Sequence, residues 1–208
     1  MPLEFVVSAF VTLLIVLDPI GLAPSFIAVT HGMPRDARRQ VAIRASIIAA
    51  VILAGAALGG DRLLGALGIS LAAFRIAGGL LLFSIASEMV FGLRIQRQSA
   101  TAEQALEERV RNIAAFPLAI PLMAGPGAIT AMVLLAGRAS GRLDMLAALI
   151  GVAVVVVGLC LIVFLTASRI EKLLGITGNV VLSRLLGVLL AALAVQFVAD
   201  GVQMLLAK

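Results

Sequence analysis

The 208-residue sequence has no tryptophan, no tyrosine, one cysteine and one histidine, and only 13% of it is charged. Each shortage removes a class of protein. Cys160 stands alone, so no intrachain disulfide framework is expected. His31, alone in "THGMPRD", has no cysteine or carboxylate cluster beside it and reads as a surface residue. No paired carboxylates, nucleophile–histidine pair, metal cluster or phosphate-binding glycine loop is present, so no enzymatic activity, resident metal or cofactor is expected. The scarcity of charge says most. A soluble domain carries about a quarter charged residues because its surface faces water. Here 62% of residues are hydrophobic and mean hydropathy is +1.17, so the surface must be apolar as well. That composition belongs in a lipid bilayer, with no nucleic-acid partner despite a net charge of +5.

The charged residues bunch near 31–44, 60–62, 94–111, 138–144 and 169–172, cutting the chain into six apolar segments. Spans are expected near 3–29, 42–59, 69–92, 113–136, 145–167 and 179–206. Stretches such as Val152–Leu165 are apolar on every side, unlike the alternating strands of a β-barrel, so the spans are helices. The first segment lacks a basic leader and a small-residue cleavage pattern and is expected to be retained. The remaining chain leaves no room for an extramembrane domain: one transmembrane domain is expected over 1–208.

Sorting cations by loop gives ten on the side of loops 1, 3 and 5 and four on the other side. The ten are Arg35, Arg38, Arg39, Arg44, Arg94, Arg97, Arg109, Arg111, Arg169 and Lys172. The positive-inside rule puts these in the cytoplasm, so both termini of a multi-pass inner-membrane protein are expected outside it.

The chain also repeats weakly. "DRLLGALGIS" (61–70) matches "SRIEKLLGIT" (168–177), and Pro19 matches Pro126, both at an offset of 107. "RIAGGLLLF" (75–83) matches "RLLGVLLAA" (184–192) at 109, pairing Arg75 with Arg184. Three spans per half make the second half enter from the opposite side. The expected fold is therefore an all-α integral membrane protein of six transmembrane helices in two inverted three-helix repeats. Repeat 1 covers about 1–93, a polar loop 94–112, and repeat 2 about 113–208.

Five of the seven prolines fall in the first and fourth spans. Proline removes a backbone donor and clashes with the preceding turn. With Gly21, Gly125 and Gly127 beside them, "LDPIGLAP" (17–24) and "IPLMAGPGAIT" (120–130) read as breaks, so the first and fourth helices are expected to be discontinuous. Paired broken helices mark a transporter's substrate site, because the half-helix N-termini favour negative charge. Asp18 followed by Pro19 reads as an N-cap with proline at the first helical position. Gly125–Pro126–Gly127 offers bare backbone to a ligand carboxylate. Ser25 and Thr130, within two turns of the breaks, can complete a polar pocket.

These same segments resemble signatures of the MarC family of integral membrane proteins. "DPIGLAPSF", "PLAIPLMAGPGAIT", "FRIAGGLLLF" (74–83) and "SRLLGVLLAALAVQFVADGV" (183–202) together cover essentially the whole chain. The resemblance implies a six-helix protein of the superfamily that includes LysE-type exporters, and, from some relatives, transport of small neutral amino acids. One position departs. The family usually has asparagine where this chain has Asp18, an acid that can titrate.

Asp18, Arg75, Glu88, Arg184 and Asp200 lie within the expected spans, where ionisable groups mark function by default. Glu88 and Asp200, near helix ends, read as structural. Arg75, Arg184 and Gln196 are candidates for coupling or gating: the arginines by holding carbonyls freed by the breaks, binding a substrate carboxylate or simply snorkelling, Gln196 by bonding a ligand or a neighbouring helix. Asn179 is expected to cap the sixth span. Gly55, Gly59, Gly78, Gly79 and Gly187 are expected to permit close helix packing.

The expected function is a secondary transporter moving a zwitterionic amino acid such as glycine or alanine by alternating access between the two breaks. Asp18 would receive the ammonium group or couple transport to H+ or Na+. A passive channel, an exporter of another small metabolite or drug, and a non-transporting structural protein are the alternatives. The apolar exterior is compatible with a homo-oligomer.

Overall fold

A computed structural model describes residues 3–94, 96–98, 100, 112–139 and 142–207; within these, the side chains of 168 and 170–177 are not described. The described residues are helical with no strand. The elements are α1 (Leu3–Leu17), α2 (Leu22–Val29), α3 (Arg35–Ala66), α4 (Leu71–Val90), α5 (Ala114–Met123), α6 (Pro126–Arg138) and α7 (Leu143–Leu206).

Four stretches are long and apolar enough to cross a membrane: Arg35–Ala66, Leu71–Val90, Leu143–Ala167 and Gly178–Leu206. Counting each bent pair as one span, α1 with α2 and α5 with α6, raises the number to six. The pairs bend by 45° and 56° at the two segments where proline and glycine cluster.

α7 cannot be straight. From Leu143 to Asp200 a straight helix would measure about 86 Å. Yet Arg138, five residues before Leu143, donates to Asp200 at 3.0 Å. The chain must therefore reverse between the Leu143–Ala167 limb and the Gly178–Leu206 limb. Asn179 lies buried at the start of the second limb.

Local sequence explains the ends of α3 and α4. α3 stops at Gly68, whose φ of +68° is costly for any residue with a side chain. The Ile69 N–H returns to the Leu64 carbonyl at 2.9 Å, a Schellman-type closure. Ser70 then caps α4 by accepting from the Ala73 N–H at 3.1 Å. The charged residues 35–44, expected as a loop, form the first turns of α3. A helix satisfies its own backbone whether in lipid or water, so arginines outside the apolar zone do not end it; they extend toward the polar interface.

α4 and the second limb of α7 run antiparallel. A methyl added at Gly79 would strike the Ala194 carbonyl and Val198, one at Gly187 would strike Met89 and the Ala86 carbonyl, and one at Gly201 would strike Ile76 and the Ala72 carbonyl. Gly78 packs equally tightly on Thr130 and Leu134 of α6. Gly55 and Gly59 differ from expectation: both are exposed with nothing within reach, so they allow no close packing. In so apolar a helix this exposed face meets lipid. The core runs through the centre and includes Leu13, Leu17, Leu22, Leu53, Leu134 and Phe197.

Candidate functional site

The first break is built on Asp18. Its φ of +50° is the left-handed conformation that ends α1. A residue before proline is also discouraged from continuing a right-handed helix. Asp18 is 2% exposed, and its Oδ1 accepts from the Gly21 N–H at 3.1 Å. The Leu22 N–H in turn donates to the Asp18 carbonyl at 3.1 Å. Regular α2 starts only at Leu22, yet the carboxylate already caps the Pro19–Gly21 turn as an N-cap would. Asp18 Oδ2 has no partner among the described residues. Gly21 is required here, since a side-chain carbon would overlap the Asp18 carboxylate.

The second break is open backbone. In α5, Phe116 and Ile120 take extended conformations (φ −131° and −125°), and each directly precedes a proline, Pro117 or Pro121. Proline therefore sets both irregularities. Both X–Pro bonds are cis. Gly125 is extended and Pro126 begins α6, whose N-terminus no side chain caps.

A cavity of 270 Å³ lies against this second break. One wall is Pro121–Met123 and Gly125–Ala128; another is Leu81, Ser84, Ile85 and Glu88 of α4; Val16 closes it at the end of α1. The remaining wall is Arg94, Arg97 and Gln98. Arg94 is 8% exposed and donates from Nη2 to the Val16 carbonyl at 2.6 Å. Its Nε and the Oε1 of Gln98 are buried without a partner among the described residues. Arg94 and Asp18 also interact electrostatically. Arg97 pairs with Glu88 at 2.6 Å.

Of the expected site residues, Gly125, Pro126 and Gly127 line the cavity. Asp18, Pro19, Gly21, Ser25 and Thr130 are buried near the breaks without lining it. Arg75, Arg184 and Gln196 are elsewhere. Arg75 donates to the Met204 sulfur at 2.9 Å, at one end of the α4–α7 pair, while Arg184 lies beside Gly92 at the other end. Gln196 donates to Asp200 at 2.7 Å, and Asp200 is paired with Arg138. The arginine that holds a carbonyl at a break is thus Arg94, which position alone had assigned to a loop. Most of that loop, 101–111, lies outside the described residues.

The sequence profile described as "MarC family integral membrane protein" matches residues 3–206. The chain belongs to the MarC family. Among curated MarC-type relatives, it is 38% identical to a UPF0056 membrane protein of Archaeoglobus fulgidus, over 96% of this chain and 92% of that one. A UPF0056 membrane protein of Methanocaldococcus jannaschii is 36% identical over 98% of both chains. Escherichia coli YhcE, also a UPF0056 membrane protein, is 33% identical over 93% of this chain and 90% of its own. No solved structure matches. Membership in the MarC family and the helical architecture together make the chain an integral, multi-pass membrane protein.

Proposed function

We propose that this MarC-family protein is a secondary transporter of small zwitterions, with its substrate site in the cavity at the second break. The observation that carries the reading is the pairing of two anion-favouring features on one 270 Å³ cavity. These are the uncapped N-terminus of α6 at Gly125–Gly127 and the buried guanidinium of Arg94, itself fastened to the end of α1. A helix N-terminus and a buried cation both favour a carboxylate. Glu88, on the facing wall, supplies the opposite charge for an ammonium group. The volume sits just below the range of about 300–1,000 Å³ that holds drug-sized ligands, which favours a small metabolite such as glycine or alanine over a drug.

In this reading six spans form two inverted three-helix repeats that rock against each other, with both chain ends outside the cytoplasm. Asp18 couples the cycle to H+ or Na+ through its unpartnered oxygen. Arg75 and Arg184 brace the two ends of the α4–α7 pair, and Gln196 orients Asp200 toward Arg138.

Counterflow of labelled glycine or alanine into proteoliposomes tests it. Saturable exchange is the expected result. Folded protein with no exchange across a broad amino-acid panel removes the substrate class, and unsaturable electrogenic flux makes the protein a channel.

A further inference from the structure

A second cavity of 270 Å³, sharing no lining residue with the first, is lined by Phe26, Arg35, Arg38, Arg39, Phe164 and Leu165. Its floor is apolar and fixed. Phe26 and Phe164 are 1% and 2% exposed and stack with centroids 4.6 Å apart and planes 11° from parallel. Its mouth is cationic. Arg35, Arg38 and Arg39 fall at i, i+3 and i+4 in the first turns of α3, so they share one face. Arg38 lies over the Phe26 ring at 5.7 Å.

Three cations on one face repel one another unless something anionic sits among them. Among the described residues no carboxylate forms an ion pair with any of the three. Asp36 flanks Arg39 at i−3 but forms no ion pair with it, so among the described residues the three cations carry no bound counter-charge. α3 begins behind Pro34 with no side-chain cap, so its N-terminal dipole adds to the positive field in the cavity. The apolar floor strengthens that field by keeping the local dielectric low.

The flank of the cavity identifies the ligand further. Leu165 lines it and is 51% exposed, and Ile162, one turn earlier on the same limb of α7, is 57% exposed. In a spanning helix these side chains face acyl chains. A ligand in the cavity is therefore anionic at one end and apolar beside it. Guanidinium forks match phosphate oxygens two at a time.

We propose that Arg35, Arg38 and Arg39 form a binding site for the phosphate of an anionic glycerophospholipid, with an acyl chain lying along Ile162 and Leu165. No acidic residue lines the cavity to receive a choline-type cation, so the site discriminates against zwitterionic lipid. The inference does not depend on transport.

The test is thermal unfolding of delipidated full-length protein in neutral detergent. It is titrated separately with phosphatidylglycerol, phosphatidylcholine of the same acyl chains, and inorganic phosphate. Phosphatidylglycerol should raise the melting temperature saturably, less so at high salt; phosphatidylcholine should not. The triple change Arg35→Gln, Arg38→Gln, Arg39→Gln should weaken the lipid's apparent affinity at least about tenfold, the loss of roughly 1.4 kcal/mol of binding free energy. Arg62→Gln, an exposed arginine at the far end of α3, should leave it unchanged. If the triple variant is misfolded, Arg35→Gln and Arg39→Gln singly, both at exposed positions, should each weaken it measurably. Equal stabilisation by the two lipids, or wild-type affinity in the variants, overturns the proposal. Inorganic phosphate acting as well as phosphatidylglycerol overturns the lipid assignment and leaves a free-phosphate site.

Discussion

Arg94 and Val16 are 78 residues apart in the chain and joined by a 2.6 Å bond from guanidinium to carbonyl. Val16 lies in the last turn of α1, where the break at Asp18 removes the N–H that would normally satisfy its carbonyl. The bond thus ties the segment after α4 to the first break, while Arg94 also lines the cavity at the second.

Arg94→Gln removes both roles. A buried hydrogen bond to a charged group contributes about 1.5–3 kcal/mol. The variant should unfold at lower temperature, and counterflow of labelled alanine should fall at least about tenfold relative to wild type. Arg94→Lys should recover part of the flux, because it keeps the charge but not the fork. Wild-type exchange in folded Arg94→Gln would remove the residue from the transport cycle.

Substitutions at Asp18 separate capping from coupling. Asn keeps an acceptor for the Gly21 N–H and tolerates positive φ. Asp18→Asn should therefore melt close to wild type while losing any dependence of flux on an ion gradient. Asp18→Ala gives up the cap, worth about 1 kcal/mol, and places alanine at φ +50°, so it should melt lower than Asp18→Asn. Gradient-driven flux that persists in Asp18→Asn would falsify the coupling role.

The two glycines of the second break should differ in their tolerance of a methyl group. At Gly125 it meets the carbonyl oxygen of Pro121, which is backbone and cannot turn aside. At Gly127 it meets the end of the Ile85 side chain, which can. Gly125→Ala should depress thermal stability more than Gly127→Ala, and Gly55→Ala, at an open position, should cost nothing measurable. The reverse order would mean that the break relaxes.

Asp200 neutralises Arg138 at 3.0 Å and accepts from Gln196 at 2.7 Å. Asp200→Asn leaves Arg138 without its counter-charge. The pair is a quarter exposed, so the loss should be modest, about 1 kcal/mol or less. It should appear as a lower melting temperature with the half-saturating alanine concentration unchanged. A marked change in that concentration would bring this cluster into the substrate path.

The two breaks and the apolar helical stretches were legible in the sequence because their causes are local. Proline and glycine set backbone geometry within a residue or two, and a run of apolar residues has few alternatives in lipid. Arg94 was not legible. By position it is a cation following a span; only the tertiary path back to Val16 makes it a buried donor. Gln98 was hidden in the same way. The repeat offset singled out Arg75 and Arg184, but periodicity carries no information about which cavity a side chain reaches. Gly55 and Gly59 looked like Gly78 and Gly79 because composition does not report which face of a helix meets protein.

Gly78 and Gly79 are neighbours on α4, about 100° apart around its axis. One rests against Thr130 and Leu134 of α6, the other against Ala194 and Val198 of α7. Adjacent positions thus set two helix–helix distances independently: a side chain at 78 would push α4 off α6, and one at 79 would push it off the second limb of α7.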